Sequence, residues 1–297
     1  MKLEFALPAD FHLGRTVHSH GFIDTVPFAW DEATSTLSRI DRLTPKGPPK
    51  LVRLKQSRRT LVVEVDGATK IPEAYQRRIR RMLQLHLDLR PFHRSVGGWI
   101  AKGKYGRVLR AGELYEDLVK AICGTNILWK QAVKCIAKIG EFGPLHRASG
   151  RRAFPSPTEM LLVGEQRLRD HARVGYRAQA ILELSKRVAS GELDLEAIEA
   201  AALTESGDQI RKRLTALRGI GPSTACYLAS FLGKFDRPSI DSAVLAFAEV
   251  RLFEGRRPSV REVEAHFQQY GEWQGLVSWW EVWRNYTERD GRELHAP

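Results

Sequence analysis

Cysteine is scarce: Cys123, Cys135 and Cys226 are the whole complement of a 297-residue chain. They are far apart and form no C-x-x-C pair, so neither a disulfide framework nor a cysteine zinc site is expected. No apolar run approaches the length of a membrane span, and Met1-Lys2-Leu3-Glu4-Phe5 lacks the apolar core of a signal peptide. A cytoplasmic protein with no membrane partner is the expectation. His18 and His20 lie close together without a third ligand nearby, and read as loop or strand histidines rather than a metal pair. There is no internal repeat and no low-complexity tract.

Acidic residues are in deficit as well, 35 against 47 Lys and Arg, for a net charge of +12. Such an excess attracts a polyanion, and nucleic acid is the default partner unless the surface is merely basic throughout. The length and the 43% hydrophobic content suffice for a core without disulfides or metals, in two domains or one large one.

Residues 1–90 read as short strands and turns, most clearly Thr60-Leu61-Val62-Val63-Glu64-Val65 before Asp66-Gly67, followed by a basic amphipathic helix from Glu73 to Leu89 that Pro72 opens. Its Arg77, Arg78, Arg80 and Arg81 suggest a solvated face more than a contact for nucleic acid. The glycines and basic residues of 91–112 suggest a connector. From 113 to 297 helical periodicity takes over, as in Leu114, Leu118, Ala121 and Ile122, with further helices expected near 158–170, 176–190, 208–217, 222–232, 242–250, 259–270 and 274–286. The fold class is therefore α+β: a small antiparallel sheet domain with a helix, then an all-helical domain.

The most informative segment is Leu214-Thr215-Ala216-Leu217-Arg218-Gly219-Ile220-Gly221-Pro222-Ser223-Thr224-Ala225, two helices joined by a tight glycine turn. Gly219 and Gly221 permit positive φ and close approach of a ligand, Ile220 pins the turn to the core, and Pro222 suits the first position of a helix. Free amides around Gly219, Ile220, Gly221, Ser223 and Thr224 at a helix N-terminus form a site for a phosphate oxygen. The plainer alternative is an ordinary helix corner.

The pattern L-x-G-I-G-P-x-T-A resembles the hairpin of the helix-hairpin-helix DNA glycosylase superfamily, nearest to its alkyladenine and 8-oxoguanine branch. The resemblance implies an aspartate about twenty residues on, matched by Asp241 in Arg237-Pro238-Ser239-Ile240-Asp241-Ser242-Ala243-Val244. Asp241 is equally a good helix N-cap, and the two roles are compatible. A carboxylate beside C1′ can stabilise the oxocarbenium-like state of glycosidic cleavage and orient or deprotonate water. Members that also cut the backbone use a lysine where this chain has Ser223, which cannot form an imine, so the resemblance implies a monofunctional enzyme acting on a damaged purine, alkylated or 8-oxoguanine, in double-stranded DNA. Lys212 and Lys234 lie outside the motif. No cysteine follows Cys226, so no iron-sulfur cluster is expected. No organic cofactor is implied, though the resemblance suggests Na⁺ or K⁺ on the carbonyls of Leu217 and Ile220.

The likeness extends to Leu118-Val119-Lys120-Ala121-Ile122-Cys123-Gly124-Thr125-Asn126, where Asn126 falls at the residue that plugs the gap left by a flipped nucleotide. In Val174-Gly175-Tyr176-Arg177-Ala178, Tyr176 falls at a duplex wedge and Arg177 at a contact to the estranged base; the alternative is a helix start with one buried ring and one solvated charge. Trp129, Tyr227 and Trp279, with Trp280 and Trp283, are candidate pocket walls, although helically spaced tryptophans commonly serve the core. A monomer is expected. Two other accounts stay open: a DNA-binding module without chemistry, and a glycosylase-lyase using an out-of-place lysine.

Overall fold

The computed structural model describes residues 1–289. It is α+β, and it divides into two compact units that the chain visits alternately, Met1–His86 with Leu109–Glu196, and Leu87–Val108 with the chain from Ala197 onward. The linear division at 91–112 is thus replaced by a discontinuous one.

In the first unit, strands β1 (Lys2–Ala6), β2 (Phe28–Asp31), β3 (Thr36–Arg42), β4 (Pro49–Ser57) and β5 (Thr60–Val65) form an antiparallel sheet in the order β1-β5-β4-β3-β2. Alternation decides its faces: Leu61, Val63 and Val65 of β5 and Val52 and Leu54 of β4 point into the core. Helix α1 (Leu13–Val17) follows β1, and α2 (Glu73–Met82) follows β5.

Helix α2 stops at Met82, short of the expected Leu89. Gln84 takes φ +49°, and the amides of Gln84 and Leu85 return to the carbonyls of Arg81 and Arg80, which closes the helix in a Schellman turn. Glutamine in place of the usual glycine, followed by the apolar Leu85 and Leu87, hid the stop. The arginines of α2 are engaged within their own unit: Arg77 pairs with Glu73, Arg78 with Glu113 and Arg81 with Glu196, and Arg80 lies over the Phe5 ring.

The segment expected as a connector instead forms α3 (Arg90–Val96) and α4 (Gly98–Lys102) of the second unit. Pro91 in the first turn of α3 is a start signal that the surrounding glycines obscured. The chain re-enters the first unit at Leu109, whose amide donates to Ser19 Oγ at 2.8 Å while its carbonyl accepts from His20 Nε2 at 2.5 Å. Burial pushes the His20 imidazole down to a pKa of about 3, so it stays neutral.

Helices α5 (Leu114–Gly124), α6 (Trp129–Gly140), α7 (Pro157–Asp170) and α8 (Arg177–Ala189) complete the first unit, with two short strands, β6 (Leu145–His146) and β7 (Arg151–Arg152), that carried no sequence signal. Helix α7 starts with a capping box at Ser156 and Glu159 and is interrupted at Gly164, φ +73°. A buried ion network ties α5 to the sheet: Glu116 lies 2.8 Å from Arg39 and 2.7 Å from Lys120. Burial pushes the Glu116 carboxyl up, but Arg39 and Lys120 outweigh it and the net shift is downward.

After α9 (Leu195–Ala201) come α10 (Gly207–Thr215), α11 (Pro222–Phe231), α12 (Ser242–Arg251), α13 (Val260–Phe267) and α14 (Gln274–Arg289). Trp280 of α14 is buried against Tyr105, a core role. No helix of the described residues is long and apolar enough to cross a membrane.

Candidate functional site

The expected site residues fall into two groups, one in each unit. In the second unit the hairpin joins α10 to α11. Gly219 has φ +86°, but Gly221 has an ordinary φ of −85° as N-cap of α11, so only the first glycine is required for a left-handed turn. A Cβ on Gly221 would meet nothing within 4 Å, so no packing inside the protein demands glycine there. The amides of Gly219, Gly221, Ser223 and Thr224 find no acceptor among the described residues. Ile220 is buried and donates to the Leu217 carbonyl at 3.1 Å.

Asp241 is exposed at the N-terminus of α12, where Oδ1 accepts from the amides of Ala243 and Val244, both at 2.9 Å. The capping alternative is therefore realised. It occupies one carboxylate oxygen; Oδ2 accepts from no described residue. The segment before Asp241 is held by three helices. Ser239 Oγ donates to the Ser223 carbonyl at 2.9 Å and lies 3.2 Å from Ser223 Oγ. Arg211 of α10 grips Asp236 through 2.9 and 2.6 Å bonds, and these bonds hold its carboxyl below the usual range. Gly275 of α14 donates to the Phe235 carbonyl at 2.7 Å, and Gln274 Nε2 to the Asp236 carbonyl at 2.7 Å. A Cβ on Gly275 would lie 2.5 Å from the Arg237 carbonyl oxygen, so close approach requires glycine there.

Tyr227 of α11 and Trp279 of α14, both half-buried, stack at 5.1 Å and 12°. Phe231 closes on both rings. Two partly exposed parallel rings can line a flat ligand.

In the first unit, Asn126 and Tyr176 meet: Asn126 Nδ2 donates to Tyr176 Oη at 3.1 Å, and both residues are exposed, Tyr176 at 60%. The alternative of a buried ring and a solvated charge at Tyr176 and Arg177 is reversed here. The ring is exposed and the arginine is buried, with Nε donating to the Thr125 carbonyl at 2.9 Å and Nη1 to the Val174 carbonyl at 3.2 Å. Trp129 is 37% exposed but lies against its own unit, its ring so close over Gly21 that a Cβ there would collide with it, and it lies parallel to Phe22 at 6.2 Å. Leu128, 74% exposed two residues after Asn126, escaped the sequence expectations; the apolar run Ile127-Leu128-Trp129 at a helix start was its signal.

Neither histidine suggests a metal. His20 is held on Leu109, and His18 Nε2 lies 3.7 Å from Glu32. Among the described residues no group of three His, Cys, Asp or Glu could hold an ion.

No protein-family model matches the sequence, and no curated protein matches it. Solved structures share the fold. The chain aligns with the 3-methyladenine DNA-glycosylase from Archaeoglobus fulgidus at a TM-score of 0.76 and 21% identity, covering 98% of this chain and 100% of that one. It aligns with MBOgg1 in complex with a low affinity DNA ligand at 0.75 and 21%, covering 98% and 96%. The Clostridium acetobutylicum 8-oxoguanine glycosylase/lyase, in complex with dsDNA containing cytosine opposite 8-oxoG, aligns at 0.72 and 17%, covering 98% of both chains. At these identities the likeness establishes a common fold over nearly the whole chain.

Proposed function

We propose that this protein is a DNA glycosylase without lyase activity, which hydrolyses the N-glycosidic bond of a damaged purine, alkylated or 8-oxoguanine, flipped from double-stranded DNA. The observation that carries the reading is the pairing of a phosphate-ready hairpin with an immobilised carboxylate. The free amides of Gly219, Gly221, Ser223 and Thr224 suit a phosphate oxygen, and Ser239 ties the same α11 terminus to the loop that presents Asp241.

Extrusion of a base costs a few kcal/mol of stacking and pairing, which inserted side chains offset. Asn126, Tyr176 and the exposed Leu128 are of the right types for insertion. As the base leaves, positive charge develops over C1′ and the ring oxygen of the deoxyribose. Asp241 stabilises it electrostatically, and its free Oδ2 can accept the proton of the attacking water. Ser223 supplies no amine at the start of α11, so the product is an abasic site rather than a cut strand. Tyr227 and Trp279 are the proposed pocket walls.

A monovalent cation would fit the turn. The Leu217 carbonyl accepts one bond, from Ile220, and keeps a lone pair, and the Ile220 carbonyl accepts no backbone bond among the described residues. An ion on these oxygens would neutralise charge next to a bound phosphate. We further read the protein as a soluble monomer.

The test is base release from duplexes that each carry one modified base, comparing wild type with Asp241→Asn, with and without hot alkali. Breaks that appear only after alkali and vanish in the variant support the reading and name the substrate. Breaks without alkali, with a borohydride-trapped adduct, would reveal a lyase. Tight binding to every duplex with no base released would leave a DNA-binding module.

A further inference from the structure

One buried guanidinium joins the two loops that carry Asn126 and Tyr176. Arg177 is 7% exposed at the start of α8. Its Nε donates to the Thr125 carbonyl at 2.9 Å and to Thr125 Oγ1 at 3.3 Å, Nη2 reaches the same carbonyl, and Nη1 donates to the Val174 carbonyl at 3.2 Å. The guanidinium carbon lies 4.7 Å from the centroid of the Tyr176 ring. Thr125 immediately precedes Asn126, whose φ of +52° is left-handed, and Gly175, φ +60°, separates Val174 from Tyr176. The fork therefore bridges two loops that each turn through a left-handed residue, next to the positions that aim Asn126 and Tyr176, and those two side chains complete the ring by bonding to each other. To touch a base, Arg177 would have to give up its side-chain bonds to both carbonyls; the Val174 carbonyl would keep the Arg177 amide as donor, but the part-buried Thr125 carbonyl would lose the donors that the side chain supplies, which is costly.

We propose that Arg177 is a positioning residue that locks Asn126 and Tyr176 into one wedge, and that the protein consequently engages a gapped duplex with little preference for the opposite base. The inference rests on the glycosylase reading and deepens it. The exposed parts of the wedge suit such tolerance. An amide carries both donors and an acceptor, and an aromatic ring stacks on any base, whereas a guanidinium offers donors alone and discriminates.

The experiment measures binding to duplexes carrying a tetrahydrofuran abasic-site analogue opposite each of the four bases, with 2-aminopurine beside the gap to report unstacking. Wild type is expected to bind all four within about threefold, since no bidentate base contact is available to discriminate. Arg177→Leu, and Arg177→Lys, which lacks the fork, should weaken all four alike and reduce the 2-aminopurine signal. A preference of about tenfold or more for one opposite base, abolished in these variants, would make Arg177 a base reader and overturn the inference. The exposed pair gives a second arm that does not depend on tolerance of a buried change. Asn126→Ala with Tyr176→Ala should lose no more than the worse single variant, and additive losses would overturn the single wedge. Analogue duplexes bound no tighter than intact DNA would instead overturn the glycosylase reading, and the inference with it.

Discussion

Ser239 and Ser223 face each other across 3.2 Å, Oγ to Oγ, and the Ser239 hydroxyl also donates to the Ser223 carbonyl at 2.9 Å. The contact joins the first turn of α11 to the loop two residues ahead of Asp241. Removing it frees the carboxylate to wander without touching the hairpin. Ser239→Ala is expected to lower single-turnover base release about tenfold, the worth of one hydrogen bond, with DNA affinity nearly unchanged. Ser239→Thr, which keeps the hydroxyl, should restore most of the rate. An equal loss of affinity and rate in the alanine variant would mean that the pair serves the hairpin instead.

The observed capping role of Asp241 and its proposed catalytic role separate by substitution. Asparagine caps a helix about as well as aspartate, so Asp241→Asn should leave the urea midpoint nearly unchanged while abolishing base release. Asp241→Ala should also lose roughly 1 kcal/mol of stability with the cap. Equal stability in the two variants would show that the bonds to Ala243 and Val244 contribute nothing.

Gly221 tests the proposed phosphate contact. Its φ is ordinary and a Cβ there would meet open space, so Gly221→Ala should fold with an unchanged melting temperature. Because the added methyl would stand where a phosphate approaches free amides, DNA affinity is expected to fall about tenfold. Unchanged affinity by anisotropy would remove Gly221 from the interface.

Gly21 tests whether Trp129 serves packing. Gly21→Ala places a methyl into the indole and should cost about 1–3 kcal/mol. Combining it with Trp129→Leu should recover much of that loss in urea unfolding. If the losses merely add, the ring does not rest on Gly21.

His20 makes the fold acid-sensitive. Its pKa is lowered from the ordinary 6.5 to about 3 in the folded protein, so protons bind the unfolded chain preferentially between those values. The stabilisation is complete above pH 6.5 and is lost as pH falls toward 3, at up to about 1.4 kcal/mol per pH unit. His20→Gln, which does not titrate and can still donate to Leu109, should show a smaller drop in urea stability between pH 7.5 and pH 5 than wild type. Parallel drops in the two proteins would assign the acid sensitivity elsewhere.

The sequence by itself determined the features that depend on local backbone preference. Gly219 marks the hairpin because only a residue without a Cβ enters its left-handed turn cheaply, Asp241 marks a helix start through its capping chemistry, and alternating apolar residues in 60–65 mark a strand. The α+β class followed from these. Tertiary structure decided what depends on residues far apart in the chain. Leu109 returns the chain to its first unit between Ser19 and His20, and Ser239 finds Ser223 sixteen residues away. Arg177 shows the divide most clearly. Its place in the sequence suggests a contact to DNA, but the carbonyls of Thr125 and Val174 bury it, and no local pattern records which carbonyls a distant loop will bring within reach.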